Sequence, residues 1–310
     1  MDIKQLTYFS AVMEHHNLSH AASQHNVAQS AVSHHISNLE KQLGVSLFVR
    51  KSRGMEPTAA GHRLYHHAKQ ILLSIKSAER DMMRETEEVV GKIAIGIPYS
   101  VMKGIGLQFL EAILQDYPKV QLTIVEGLSG KTHTSLLSAE VDLALFYNPQ
   151  KDVRITMETV LEEELYCVGK PSIIGNTDAP ITFEELTALP VILLRQGAST
   201  RAIIDKPGLL SQLEVNAPLQ LNSVSGITNG VLAGLGCTLA PKIFVNEQLR
   251  SGALQARAVI KPELSRRLHI GYRRDYPFNA LFEAIKQLIL DLIKVQVLEN
   301  EWEAKFLHQK

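Results

Sequence analysis

The stretch Asn17-Leu18-Ser19-His20-Ala21-Ala22-Ser23-Gln24-His25-Asn26-Val27-Ala28-Gln29-Ser30-Ala31-Val32-Ser33-His34-His35-Ile36-Ser37-Asn38-Leu39-Glu40 decides the fold of the amino-terminal part. Upstream of it, Ile3, Leu6, Phe9 and Met13 recur at three and four residues. Val32, Ile36, Leu39 and Leu43 do the same further on, which is the spacing of short amphipathic helices. Asn17-Leu18-Ser19 and Asn26-Val27-Ala28 interrupt the pattern. Ser19 is placed to cap a short helix carrying Ala21 and Ala22, a small pair that lets two helices cross closely. The layout is that of a helix-turn-helix whose last helix runs from about Gln29 to Gln42, with Val32, Ile36, Leu39 and Leu43 inward. Its other face presents Gln29, Ser30, Ser33, His34 and Ser37. That face is polar, short in reach and nearly uncharged, which suits hydrogen bonding to base edges. Spacing alone leaves a solvated helix face as an equal alternative, because any three-helix bundle has a polar outside.

Leu47-Phe48-Val49-Arg50 and Met55-Glu56-Pro57 are expected to pair as short strands around Lys51-Ser52-Arg53-Gly54, forming a basic wing. Arg53, next to a turn glycine, is then poised for a narrow minor groove, with Arg50 and Lys51 against phosphates. Thr58 offers a helix cap, and from there to about Glu88 there is no proline. Leu64, Ala68, Ile71, Ile75, Ala78 and Met82 form a heptad seam along this segment, a rod of about 45 Å at roughly 1.5 Å per residue. An exposed seam is most simply covered by a second copy of the chain, and a paired helix-turn-helix predicts DNA with dyad symmetry.

After Val89-Val90-Gly91, short apolar runs alternate with helical stretches. Lys92–Ile97, Val120–Val125 and Val141–Phe146 read as strands, with helices at about 101–115 and 130–138, which predicts a mostly parallel, covered sheet. A second unit spans about 163–265, with strands near Leu165–Val168, Val191–Leu194, Leu219–Leu221 and Leu254–Val259. Leu268–Tyr272 and a helix from about Phe278 rejoin the first. The expected boundaries are 1–58 for the head, 59–89 for the linker helix, and 90–310 for a two-lobed α/β domain with lobe I at about 90–162 and 266–310. The tail after Glu299, with Trp302, reads as an extension of the last helix or a loose end. Two lobes joined more than once form a cleft that can trap a small molecule by hinge closure.

The 310 residues carry 32 Lys+Arg and 32 Asp+Glu. Residues 1–80 hold nine basic against five acidic side chains, for +4, and nine of the twelve histidines precede residue 68, so the head is the part to meet a polyanion. Cys167 and Cys237 stand far apart without metal-ligand spacing and read as buried thiols of a reducing cytoplasm. No signal peptide or long apolar span is evident, so a cytoplasmic location without membrane contact is expected. The histidine doublets do not make ligand pairs, since adjacent helical side chains diverge, and no metal or other cofactor is predicted. No nucleophile elbow, Walker loop or His-Glu-x-x-His motif supports an enzyme, and Glu162-Glu163-Glu164 reads as a solvated charge run.

Leu18-Ser19-x-Ala21-Ala22, Val27-x-Gln29-Ser30-Ala31-Val32-Ser33, Ile36, Leu39-Glu40, Leu43-Gly44, Leu47-Phe48-x-Arg50 and Pro57-Thr58-x-Ala60-Gly61 resemble the amino-terminal signature of the LysR-type bacterial transcriptional regulators. Ala28-Gln29-Ser30-Ala31 and Leu64-Tyr65-x-His67-Ala68 are similar to the nitrogen assimilation control subgroup. The resemblance implies a winged helix-turn-helix, a dimerising linker helix and a two-lobed, periplasmic-binding-protein-like effector domain. It also implies that Gln29, Ser30, Ser33 and His34 face the major groove with Arg53 in the wing, that the dimer assembles into a tetramer, and that RNA polymerase is a further candidate partner.

Hydroxyl residues recur at expected strand-to-helix junctions: Ser100, Ser129, Ser199 with Thr200 before Arg201, and Ser223. Helix starts attract anions through free N–H groups and the dipole, and in the family these junctions line an inter-lobe pocket, so a small carboxylate is the expected effector. An effector-independent regulator controlled by its own abundance is the alternative. A solute-binding protein is a remoter one that would require export. His34 and His35 depart from many relatives, which carry Arg or Gln at one of these positions, and protonation of His34 would add a charge facing DNA. Operator affinity should therefore rise as the pH falls toward about 6. Titrations of the parent and of His34→Gln across that range check this, and flat affinity in both would overturn it.

Overall fold

Helix α1 (Ile3–His15) starts at a reciprocal capping box. The Asp2 carboxylate accepts from the Gln5 N–H at 2.8 Å, and the Gln5 amide oxygen accepts from the Asp2 N–H at 2.9 Å. It stops at His16, which turns left-handed with φ 50°. Helix α2 (Leu18–Gln24) is capped by Asn17, not by Ser19 as expected. The Asn17 carboxamide oxygen accepts from the N–H groups of both Ser19 and His20, so Ser19 falls inside the first turn. Helix α3 (Gln29–Leu43) buries Val32, Ile36 and Leu39 against Phe9, Val12, Ala21 and Ala22. Leu43, expected inward, is 40% exposed, because it lies in the last turn beyond the core.

Strands β1 (Phe48–Lys51) and β2 (Gly54–Pro57) pair antiparallel, Lys51 opposite Gly54. The wing is tied down at both ends. Glu40 of α3 accepts the N–H groups of Leu47 and Phe48 at 2.7 and 3.2 Å, and the Met55 N–H donates to the His16 carbonyl at 2.9 Å. Gly54 has φ 132°, and a Cβ there would stand 2.4 Å from the His16 oxygen, so only glycine lets the hairpin dock.

The structure, a computed structural model, describes residues 1–51, 54–65, 67–68, 71–72, 75, 89–194, 207–276 and 279–308. The chain forms two units, Met1–Glu88 and Val89–Lys310. No helix among the described residues is long and apolar enough to cross a membrane.

The second unit opens with β3 (Gly91–Pro98), α4 (Tyr99–Asp116), β4 (Val120–Gly127), α5 (Ser129–Leu137), β5 (Leu143–Tyr147) and β6 (Ile155–Glu164). The chain then builds a second lobe from β7 (Tyr166–Gly169), α6 (Pro171–Ile174), β8 (Ile181–Thr182), α7 (Phe183–Thr187), β9 (Ile192–Leu194), α8 (Pro207–Asn216), β10 (Leu219–Leu221), α9 (Val224–Ala233), β11 (Thr238–Ala240), a 3-10 turn (Lys242–Val245), α10 (Asn246–Arg250) and β12 (Gln255–Ile260). It returns through β13 (Ser265–Arg273), α11 (Ala280–Leu298) and β14 (Lys305–Phe306).

The first sheet runs β14-β6-β13-β5-β3-β4 and the second β11-β7-β12-β8, with β9 and β10 attached through a parallel bridge between Val191 and Cys237. The expected mostly parallel arrangement is corrected to a mixed one. β3 pairs parallel with β4 and β5, but β13 is antiparallel to β5 and β6, and β7 is antiparallel to β11 and β12. The return from the second lobe causes this, since β13 re-enters beside β6 and runs back along it.

Both faces of the first sheet are covered. Ile93, Ile95 and Ile97 meet Val101, Ile105 and Phe109 of α4 and Ile285 and Ile289 of α11, while Ala144 and Phe146 meet Leu136 of α5. The two crossovers between lobes touch, the Leu165 N–H donating to the Leu264 carbonyl at 2.9 Å. In the second lobe Cys167 and Cys237 are free and buried, and hydrogen bonding between them together with burial pushes the Cys167 thiol up. That favours the inert thiol over the reactive thiolate.

The α1–α2 crossing depends on Ala21, which is fully buried. Ala21→Leu should overfill it and destabilise the head by about 1–3 kcal/mol, lowering its thermal midpoint while leaving the transition of the second unit in place. Differential scanning calorimetry of the full chain checks this.

Candidate nucleic-acid interface and inter-lobe pocket

On α3, Gln29, Ser30 and His34 are exposed, and Ser33 and Ser37 are half-buried beside them. The face is held by its neighbours. Ser19 of α2 donates to the Gln29 amide oxygen at 3.1 Å, Asn38 contacts His34 Nε2 at 3.0 Å, and Arg50 reaches from the wing to donate to Ser33 at 3.0 Å. Lys51 is paired with Glu56 across the hairpin. In the free protein, therefore, Arg50 and Lys51 each have a partner to exchange before meeting a phosphate. Arg53 lies outside the described residues.

The structure separates the members of the His34-His35 doublet. His35 turns back to meet the Tyr8 ring edge-on at 5.1 Å, as His25 does at 5.5 Å, so these rings serve packing while His34 faces outward. Among the described residues, no cluster of side chains is placed to hold a metal.

The heptad seam divides as well. Ala68 is 0% exposed and belongs to the head's own core, with Leu64 packed against it, which corrects their assignment to an open seam. The reason is that this helix begins by packing on α1: the Phe9 and Tyr65 rings lie 6.4 Å apart, and the Tyr65 hydroxyl donates to Glu14 at 3.2 Å. Ile71 is exposed and Ile75 half-buried. Ala78 and Met82 lie outside the described residues.

In the second unit a recess opens between the lobes. The first lobe supplies Pro98, Tyr99, Ser100, Gly127, Leu128, Ser129, Tyr147 and Arg266, and the second supplies Leu194, Val224 and Phe244. Two helices start at its wall. Pro98 before α4 and Leu128 before α5 supply no side-chain cap, so the positive ends of both helices are presented to the recess without a capping side chain. Ser129 Oγ accepts the Tyr147 N–H at 3.0 Å, and Ser100 Oγ donates to the Tyr147 hydroxyl at 3.1 Å.

Beneath lies a group that the sequence reading missed. Arg266 is 7% exposed and Glu163 1%, and they stand opposite each other on β13 and β6. Arg266 Nε and Nη2 donate to Glu163 Oε1 at 2.8 and 2.7 Å, and Nη2 also reaches Ser100 at 3.1 Å. The guanidinium lies 3.6 Å from the centre of the Tyr147 ring. Burial alone would lower the Arg266 pKa, but Glu163 and Tyr147 outweigh it and hold the charge. Burial, and then the Glu163 carboxylate, push the Tyr147 hydroxyl up, so it stays neutral.

Glu163 is thus no solvated charge, as expected of the run Glu162-Glu163-Glu164. Its signal was the two-residue alternation of β13, where Arg266 takes an inward position in series with Leu268 and Ile270. Of the expected pocket residues, the structure brings Ser100 and Ser129 together. Ser223 instead caps α9, accepting the Gly226 N–H at 3.1 Å, and is not in the wall. Ser199, Thr200 and Arg201 lie outside the described residues.

Residues 3–62 match the model of the bacterial regulatory helix-turn-helix protein, lysR family, and residues 86–294 match the LysR substrate binding domain. The chain is 25% identical over 304 residues to the nitrogen assimilation regulatory protein nac of Klebsiella aerogenes, covering 97% of this chain and 98% of that one. It is 30% identical over 285 residues to the HTH-type transcriptional regulator YeiE of Escherichia coli (strain K12), covering 90% and 94%. The crystal structure of full-length BenM superposes with a TM-score of 0.55 at 21% identity, over 97% of this chain and 98% of that one. With both its helix-turn-helix head and its two-lobed unit matched, the chain belongs to the LysR family of bacterial DNA-binding transcriptional regulators.

Proposed function

We propose that the inter-lobe recess is the control site of this regulator and that it takes a small carboxylate. The observation that carries this reading is the convergence of two helix starts without side-chain caps on Ser100, Ser129 and Arg266 in one recess. Tyr99, Leu128, Val224 and Phe244 in its lining favour a compact body with an apolar edge. Ser199, Thr200 and Arg201 are proposed to complete the carboxylate contacts from the second lobe.

At the DNA, Gln29, Ser30, Ser33, His34 and Ser37 read base edges. Arg50 and Lys51 exchange their resting partners for phosphates, and Arg53 enters the minor groove. Residues 59–89 pair two copies through Ile71, Ile75, Ala78 and Met82, effector domains join pairs into a tetramer, and ligand closure changes the spacing of paired heads on a dyad-symmetric site. The partners are thus DNA, further copies of the chain and RNA polymerase, the location is the cytoplasm, and no catalysis is involved.

One observation favours a second reading, in which abundance alone sets activity. Arg266, the cation in the recess wall, is already neutralised by Glu163.

Fluorescence anisotropy of the purified protein on its own upstream intergenic DNA, against a shuffled control and with a panel of small carboxylates, separates the two. A carboxylate that changes the preference for native DNA supports the control site, and indifference to every carboxylate supports control by abundance. Within that assay, Ser33→Ala should lose about 1–3 kcal/mol of base discrimination, while Arg201→Ala leaves binding without carboxylate nearly unchanged. Ser129→Ala should shift the carboxylate midpoint about tenfold upward, the weight of one hydrogen bond in a buried site, with the DNA affinity of the ligand-free protein preserved.

A further inference from the structure

The last ten described residues do not continue α11. After Leu298 the chain reverses through Asn300, left-handed at φ 57°, with the Glu301 and Trp302 N–H groups both donating to the Gln296 carbonyl at 3.0 Å. Trp302 then drops into the core of the first lobe and is 0% exposed. It fits because Gly104 of α4 has no side chain, since a Cβ there would stand 2.6 Å from the indole ring. Lys305 and Phe306 add β14 to the edge of β6, the Leu307 N–H donates to the Val160 carbonyl at 2.8 Å, and His308 meets Glu158 at 2.8 Å. The expectation of a helix extension or a loose end is thereby corrected. This strap follows the residues matched by the family's substrate-binding domain, which end at 294.

The strap also grips the second lobe. Glu303 accepts from the Tyr166 hydroxyl at 2.5 Å and from Lys242 Nζ at 2.7 Å. Glu301 is paired with Arg250, and its carbonyl accepts from Asn246 Nδ2 at 2.9 Å. The two sets of contacts differ in kind. The hold on the first lobe is a buried aromatic ring and a strand edge, whereas the hold on the second lobe is two hydrogen bonds, from Tyr166 and Asn246, and two ion pairs whose side chains stay between 32% and 64% exposed. A fully buried tryptophan is a lasting anchor, while partly exposed ion pairs are weak and easily exchanged for water. The strap is also wired to the recess. Glu163 gives one carboxylate oxygen to Arg266 in the recess wall and the other to the Trp302 indole N–H at 2.7 Å.

We infer that residues 299–308 are a releasable latch between the lobes. The latch is anchored on the first lobe by Trp302 and β14, hooked to the second by Glu301 and Glu303, and coupled to the recess through Glu163. It biases the resting separation of the lobes, beside the Lys103–Glu247 ion pair and the burial of Ile243 against the first lobe's core, so any event that parts or closes them works against these hooks.

Trp302 is the only tryptophan in the chain, which gives the anchor its own optical reporter. The test needs neither ligand nor DNA, so it stands apart from the proposed control site. The full-length protein and a Lys242→Met, Arg250→Met variant, whose strap sequence is untouched, are compared by hydrogen exchange with mass spectrometry and by Trp302 emission. Exchange in segments 98–101, 127–131 and 241–250 should rise at least fivefold in the variant, while Trp302 emission stays blue and shielded from acrylamide. Unchanged exchange in those segments would reduce the strap to packing of the first lobe and overturn the latch. A red-shifted Trp302 with faster exchange throughout would also overturn it, since the hooks would then be holding the fold and not the lobe separation. If the double variant does not fold, Glu303→Gln is read by the same criteria.

Discussion

A carboxylate and a guanidinium buried together at one end of a sheet constrain the whole two-lobed unit. Glu163 and Arg266 face each other on β6 and β13, next to the crossovers by which the chain leaves the first lobe and returns to it. Such a pair costs desolvation that Coulomb attraction offsets only when every remaining donor and acceptor is also met. Here they are met from four directions: Ser100 at the start of α4, the Tyr147 ring, the two guanidinium nitrogens on one carboxylate oxygen, and the indole of Trp302 on the other. Removing any one member strands the others in a low-dielectric interior, at a cost of several kcal/mol where it exposes a buried charge. The helix start, the central strand, the returning strand and the carboxy-terminal strap are therefore fixed relative to one another by one polar cluster.

The head was legible because its information is local. Caps, turn asparagines and three-four spacing act over a few residues, so α2 and α3 follow from the quoted stretch and α1 from the spacing just upstream of it. What was misplaced there turned on side-chain reach or on distant packing. Asn17 and Ser19 are both good caps, and only the longer carboxamide meets two N–H groups at once. Ala68 sits at a heptad position, but the helix carrying it begins against Phe9 and α1, so its first apolar positions finish the head core before any are left for a second copy.

The second unit was harder to read for the same reason in reverse. Its decisive contacts join residues far apart in the chain: Glu163 with Arg266, Tyr147 with Ser100, Trp302 with Gly104. Alternating strands announced two lobes, yet the antiparallel return of β13 depends on where the chain re-enters, which no local pattern encodes. The run Glu162-Glu163-Glu164 looked uniform by composition. A strand sends alternate side chains to opposite faces, and that parity left Glu163 buried with its neighbours more exposed. The strap was hidden because a single tryptophan after a helix carries no periodicity; only Gly104, nearly two hundred residues earlier, marks where the ring belongs.

The energies of these contacts favour adjustable lobes over a rigid pair. Partly exposed ion pairs such as Lys242 with Glu303 contribute about 0–1 kcal/mol each, whereas shifting an equilibrium from 1:99 to 99:1 takes about 5.5 kcal/mol of differential affinity. Hooks of that size bias the lobe separation by a factor of a few and cannot lock it. Burial first pushes the Glu303 carboxyl up, but Lys242 and Tyr166 more than reverse this and hold it ionised below the ordinary carboxylate range. The Glu303 hook accordingly acts at neutral pH and weakens as the pH falls through that lowered value. On the proposed reading, a small carboxylate in the recess need not break the Glu163–Arg266 pair. It needs only to make contacts with both lobes that are stronger at one separation than at another, by more than the hooks resist. A resting state held by a firm anchor and weak hooks gives even a small ligand enough leverage to matter.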